Sequence, residues 1–305
     1  MQHQRKRKHH YIPKFHLNMW KDETGKLLIY QKDGSSKINP KMKHPSQVCF
    51  RNDLYTLKKD PFGSAIQVPD YIEEELAKID NNAAKVIKKI QKNYSLAGLT
   101  SKDKQDWATY VNSLLQRSPK RLEALEGMMQ SIIREVFDDI KTVYETQNAW
   151  EICRKIFNDS NYCENEVRAM LLSVIRDNKW ITGLLNFQWQ LITLNDHFPY
   201  KFILTECPVI TIDDGDNISI IALALTPNLL WIALPCSFDG SQDLNDFIKN
   251  IIMIYNAKQM ATKPNFIISK VLLTNDGFHN YDKIFKDFLR STVGVEQLHS
   301  QAVRG

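Results

Sequence analysis

The sequence predicts an α+β protein: a small N-terminal β-rich unit, a central helical bundle region, and a C-terminal mostly antiparallel sheet with flanking helices. Three observations lead there. Short extended runs broken by turn residues fill the first sixty positions, and apolar residues then recur at helical spacing from about 69 to 184. From about 186 the period shortens towards two and β-branched residues accumulate. Residues 1–294 read as a single composite domain (1–60, 69–184 and 186–294), with 295–305 as a tail.

In the first region, residues 11–20 lead into a turn at 22–25 and a strand at 26–31. Asp33-Gly34 marks a second turn, 37–40 and 47–50 are short extended pieces, and 52–57 alternate as a further strand. The helical region opens at Pro69 and Asp70, with Glu73 placed as in a capping box and Ile72, Leu76, Ile79, Ala83, Val86 and Ile90 forming one stripe. Thr100 and Asp103 start a second helix, whose buried face is Trp107, Tyr110, Val111, Leu114 and Leu115. Ser118-Pro119 ends it and begins a third, because proline fits a first helical turn. Leu122, Leu125, Met129, Ile132, Ile133, Val136, Ile140 and Val143 are its expected core stripe. Further helices are expected at 147–158 and 164–183.

Strands are expected at 187–193, 201–205, 209–213, 218–225 and 229–234. Their links are too short for crossover helices, so they pair antiparallel. A helix at 244–262, a strand at 266–272 and a helix at 281–289 complete the pattern. Trp180, Trp189 and Trp231 sit in apolar runs and read as core.

At 43% hydrophobic and 25% charged, with 11 Gly and 11 Pro, the composition is that of a globular chain, not a disordered or fibrous one. No run approaches the ~20 apolar residues of a membrane span, and the opening Arg5, Lys6, Arg7 and Lys8 precede no export-type apolar stretch. A cytoplasmic location without a membrane partner is the expectation, and a homo-oligomer stays open. The five cysteines (Cys49, Cys153, Cys163, Cys207, Cys236) form no C-x-x-C pair and are odd in number, which favours reduced thiols over a disulfide set or structural zinc.

The net charge of +5 conceals an asymmetry. Residues 1–60 carry 14 Lys+Arg against 5 Asp+Glu, leaving 26 against 30 for the rest, and five of the eight histidines lie in the first 44 residues. Such a concentration favours phosphate-bearing partners through counterion release; a solubilising basic tail is the other reading.

The phosphate-loop, dinucleotide, zinc-protease, nucleophile-elbow and EF-hand patterns are absent. The densest group of functional side chains is the stretch from His9 to Leu17. There His10 is either a general base or ligand beside an anionic substrate, or a hydrogen-bonded anchor next to Tyr11.

The segment His10-Tyr11-Ile12-Pro13-Lys14-Phe15-His16-Leu17-Asn18-Met19-Trp20 resembles the opening motif of the bacterial domain-of-unknown-function (DUF) family 4238, with Trp20 in place of its final Phe. Three later segments are similar to family elements: Asn52-Asp53-Leu54-Tyr55-Thr56, Gln116-Arg117-Ser118-Pro119, and Phe202 to Val209 followed by Leu225-Thr226-Pro227. Glu206 and Cys207 depart from the family's usual Asp and Asn. The resemblance spans nearly the whole chain and implies a bacterial accessory or mobile-element protein, loosely associated with defence or toxicity.

The recurring polar positions would make a site if the fold gathers them. His10 would be base or ligand, Asp53 and Glu206 would hold a divalent cation (Mg or Mn), and Arg117 would clamp a phosphate. Tyr11 and Tyr55 would stack on a base or sugar, with Lys14, Asn52 and Asn256 as further substrate contacts. Each also has a structural reading: Arg117 satisfying helix carbonyls, Asp53 and Glu206 capping turns or joining a buried ion network. The functional expectation is a nucleic-acid- or nucleotide-directed effector, in its sharpest form a metal-dependent phosphodiesterase. The alternative is a non-enzymatic nucleic-acid- or protein-binding regulatory module, and a small-molecule enzyme is the third.

Overall fold

The computed structural model describes residues 7–32, 38–58, 70–144, 151, 154–155, 160–198, 200–214, 217–234, 244–262 and 265–270. The expected helix at 281–289 and the tail lie outside these residues, as does most of the expected helix at 147–158.

The N-terminal part holds β1 (Lys8–His10), α1 (Lys14–Asn18), β2 (Leu27–Lys32), β3 (Ile38–Lys43), a 3₁₀ turn at Pro45–Gln47 and β4 (Phe50–Asn52). Two expectations fail here for one reason. Cys49 (φ 53°) and Asp53 (φ 54°) are both left-handed, so β4 is confined to the three residues between them and neither 47–50 nor 52–57 continues as a strand. Pro40 is tolerated in β3 because that strand lies at the edge of its sheet, where a missing N–H breaks no ladder.

Four long helices follow the expected order: α2 (Tyr71–Asn93), α3 (Ser101–Gln116), α4 (Pro119–Tyr144) and α5 (Ser160–Ile175), then the short α6 (Asn178–Leu185). The Thr100 capping box forms, with Asp103 N–H donating to the Thr100 hydroxyl at 3.1 Å and Thr100 N–H to the Asp103 carboxylate at 2.9 Å. At Asp70 it does not: no side-chain cap bond is made, and the carboxylate accepts from Thr56 Oγ1 at 3.1 Å. The helix expected at 164–183 is two helices, since Asp177 stops the first and caps the second by accepting from Lys179 N–H at 2.9 Å.

α3 is the central helix: Trp107, Ala108, Tyr110, Val111 and Leu114 are all buried. The expected stripe on α4 is only partly core. Leu122 is buried, but Ile132 and Val136 are each 48% exposed.

The C-terminal part contributes β5 (Gln188–Thr193), β6 (Leu204–Thr205), β7 (Val209–Asp214), β8 (Asn217–Thr226), β9 (Leu229–Leu234), α7 (Leu244–Ala261) and β10 (Phe266–Ile268). One antiparallel sheet runs β5-β9-β8-β7, with β9 buried on both faces. A second runs β3-β2-β10-β6, so the N-terminal strands share a sheet with the last described strand. β6 is shorter than the expected 201–205 because side chains of α7 take over its backbone. Asn256 Oδ1 accepts from Ile203 N–H at 3.1 Å and Asn256 Nδ2 donates to the Lys201 carbonyl at 2.9 Å. Tyr255 and Gln259 both donate to the Pro208 carbonyl at 2.9 Å. Among the described residues no helix is long and apolar enough to cross a membrane.

Candidate functional site

β1 and β4 form a two-stranded ribbon in the register Lys8↔Asn52, His9↔Arg51 and His10↔Phe50. Directly opposed residues share a face, so alternation sorts the ribbon into two sides. Lys8, His10, Phe50 and Asn52 occupy one. Lys8 Nζ lies 4.8 Å from the centroid of the Phe50 ring, and the His10 ring centroid is 5.5 Å from it. Lys8 and Asn52 are exposed and the two rings are half-buried.

His9 and Arg51 occupy the other side. His9 is fully buried, stacks on Tyr55 at 5.6 Å, and accepts the Tyr55 backbone N–H at 3.0 Å. Arg51 is half-exposed and paired with Glu123 of α4. Arg7, just before the ribbon, pairs with Asp53 at 3.4 Å across an exposed edge.

Behind the ribbon the dispersed sequence segments meet. Tyr11 N–H donates to the Cys49 carbonyl at 2.9 Å. The Tyr11 phenol sits near Glu206: burial first, then Cys49 and Glu206, pushes it well above its ordinary value. Glu206 is itself buried and accepts from Lys120 Nζ at 2.9 Å and Asn265 Nδ2 at 3.0 Å. Cys207 is raised by burial and by Glu206, while Lys120 and a hydrogen bond with Ser118 act against that. The segments around Tyr11, Ser118 and Glu206 therefore share one junction.

Arg117 is deeper. It is fully buried, its Nη1 donates to Asp80 at 2.9 Å, and its guanidinium carbon lies 5.8 Å from the Tyr110 ring centroid. Its Nε and Nη2 are buried without a hydrogen-bond acceptor. Its carbonyl accepts the Tyr55 hydroxyl at 2.8 Å. His16, also fully buried, donates from Nε2 to the Ala224 carbonyl at 3.0 Å and accepts the Tyr110 hydroxyl at Nδ1, 2.9 Å away. A carbonyl only accepts, which fixes that tautomer. Burial holds His16 down to about 4, so the ring is neutral.

The expected site residues thus separate. His10 and Asn52 stand on the exposed face, Lys14 is exposed on the first turn of α1, and Asp53 lies at the ribbon's edge. Tyr11 and Glu206 belong to the junction. Arg117, Tyr55 and Asn256 are completely buried, so the Tyr55 ring offers no open stacking surface and Asn256 is occupied by backbone. Among the described residues no three His, Cys, Asp or Glu side chains gather to hold a metal ion, so His10, Asp53 and Glu206 are not one such group. Phe50 was missed by sequence reasoning; the alternation of residues 50–52 opposite 8–10 is the signal that places it beside Lys8 and His10.

Neither a curated protein nor a solved structure matches the chain. A family model described as "Protein of unknown function (DUF4238)" matches residues 8–237, which contain the ribbon, the junction and the buried Arg117 network. The chain belongs to the DUF4238 family.

Proposed function

We propose that the chain is a nucleic-acid- or nucleotide-directed binding protein whose contact surface is the outer face of the β1–β4 ribbon. The observation that supports this is the grouping of Lys8, His10, Phe50 and Asn52 on one exposed face, with an ammonium 4.8 Å from an aromatic centroid. The part of the Phe50 ring that reaches solvent offers a stacking surface to a base, an ammonium neutralises the adjoining phosphate, and an amide supplies hydrogen bonds to base or sugar edges.

Binding ranks ahead of metal-dependent phosphodiester hydrolysis because the two carboxylates assigned to a cation already have cationic partners. Asp53 faces Arg7, and Glu206 is held by Lys120 and Asn265. Hydrolysis through them would require both to exchange these partners for the metal.

The test is fluorescence anisotropy of a labelled single-stranded oligonucleotide, against a duplex of the same sequence and a mononucleotide, over a salt series. Binding should weaken with salt, with a log–log slope of about −0.7 per phosphate contacted on a single strand. Phe50→Ala should cost about 1–3 kcal/mol of affinity, the worth of one stacked base. Absence of any salt-dependent binding at low ionic strength would overturn the reading.

A further inference from the structure

Four aromatic side chains run in file through the core. Trp189, half-buried on β5, meets Trp231 of β9 at 5.2 Å between ring centroids. Trp231 meets Trp107 of α3 at 5.8 Å, and Trp107 meets Tyr110 one turn further along at 5.4 Å. The file ends on the Tyr110 hydroxyl donating to His16 Nδ1 at 2.9 Å. Core packing accounts for the rings but not for their polar atoms. The indole N–H groups of Trp107 and Trp231 are buried with no acceptor, each a cost of about 1–3 kcal/mol. Orphaned groups of this kind call for an explanation, and redox chemistry is one.

We propose that Trp189, Trp231, Trp107 and Tyr110 form a one-electron relay that carries oxidising equivalents from the surface at Trp189 to Tyr110, where His16 takes the phenolic proton. A tryptophan that has lost an electron becomes a radical cation, and it traps the charge only when its N–H proton can leave. At Trp231 and Trp107 that proton has no acceptor within reach, so the charge stays mobile. Tyr110 differs, because its O–H already points at an imidazole lone pair at proton-transfer distance.

The step balances as follows. A one-electron oxidant at the surface, stronger than tryptophan, removes one electron from Trp189. Electrons move outward from Trp231, Trp107 and Tyr110 in turn, the Tyr110 O–H bond breaks, and an N–H bond forms at His16 Nδ1. The product is a neutral phenoxyl radical beside an imidazolium. Arg117, near the Tyr110 ring, opposes the new positive charge and Asp80 offsets it. Because burial makes His16 a weak base, the proton returns to the phenoxyl once an electron does, and the relay resets.

The probe is tris(bipyridine)ruthenium(II), photo-oxidised in the presence of persulfate and mixed with the full chain, with samples freeze-quenched for high-field EPR. The exposed Tyr71, Tyr94 and Tyr200 are oxidised directly, but equally in every variant, so differences isolate the relay. The wild type should show a hydrogen-bonded phenoxyl signal that is lost in Tyr110→Phe. The same signal should be lost in Trp231→Phe and Trp189→Phe, where Tyr110 is intact but cut off. A wild type lacking that signal, or a signal undiminished in Trp189→Phe, overturns the proposal. Trp189→Phe alters a half-buried ring and one hydrogen bond, from its indole N–H to the Leu184 carbonyl, and decides the matter if the core variants do not fold.

Discussion

His10 and His16 stand six positions apart in one short segment and live in opposite surroundings. The first shares a half-exposed face with Lys8, Phe50 and Asn52; the second is sealed between Tyr110 and the Ala224 carbonyl. Geometry, not residue type, assigns the work. On the outer face of the ribbon the exposed Lys8 and Asn52 can be reached by a partner molecule, whereas His16 behind it has both ring nitrogens hydrogen-bonded within the protein. Substitution should therefore affect binding on one side and stability on the other.

The interior is where this contrast breaks most sharply. Arg117→Ala should destabilise by about 3–5 kcal/mol in urea denaturation, because the largely buried Asp80 carboxylate loses its charge partner. A loss under about 1 kcal/mol would mean that Asp80 is solvated after all. His16 should make the interior acid-sensitive. With 6.5 in the unfolded chain and about 4 in the folded one, the unfolded state alone binds a proton between those pH values, so stability falls as pH falls through that window. The total is about 3 kcal/mol, read as a drop in urea midpoint between pH 7 and 4 that a His16→Asn variant lacks. Asp103, held down to about 2 chiefly by Lys89 and then Thr100, begins to lose its contribution only below its ordinary 3.8, so the two windows separate.

Smaller effects sharpen the same boundary. Asn256→Leu leaves the Ile203 N–H and the Lys201 carbonyl unpaired and should cost about 1–3 kcal/mol with oligonucleotide affinity unchanged. Lys8→Ala should leave stability within about 0.5 kcal/mol and reduce the magnitude of the log–log salt slope of binding by about 0.7. Equal stability losses in Asn256→Leu and Lys8→Ala would erase the distinction between the two sides.

The long periodic helices and the β5-β9-β8-β7 strands were legible because apolar spacing alone decides them. Helix α4 shows the limit: its stripe reads as core throughout, but Ile132 and Val136 are exposed, and spacing alone does not reveal which turns of a helix a neighbour covers. The three-residue strands β1 and β4 carry too little pattern to be seen, and the left-handed Cys49 that bounds β4 has no turn residue to announce it. At the candidate site, residue chemistry drew attention to the stretch from His9 to Leu17. It could not tell which neighbour of a pair turns outward: His9 is buried and His10 is not. Nor could it separate Tyr55, locked beneath the ribbon, from Phe50 on its surface, since that depends on register with a strand more than forty residues away.

The placement of β10 between β2 and β6 has a consequence for biosynthesis. Ile29 and Leu204 both pair with Ile268, so two edges of that sheet stay open until the segment at 266–268 has left the ribosome. A nascent chain must keep the apolar residues of β2 from wandering into foreign ladders for most of translation, and stalled or truncated products should be the species that chaperones capture.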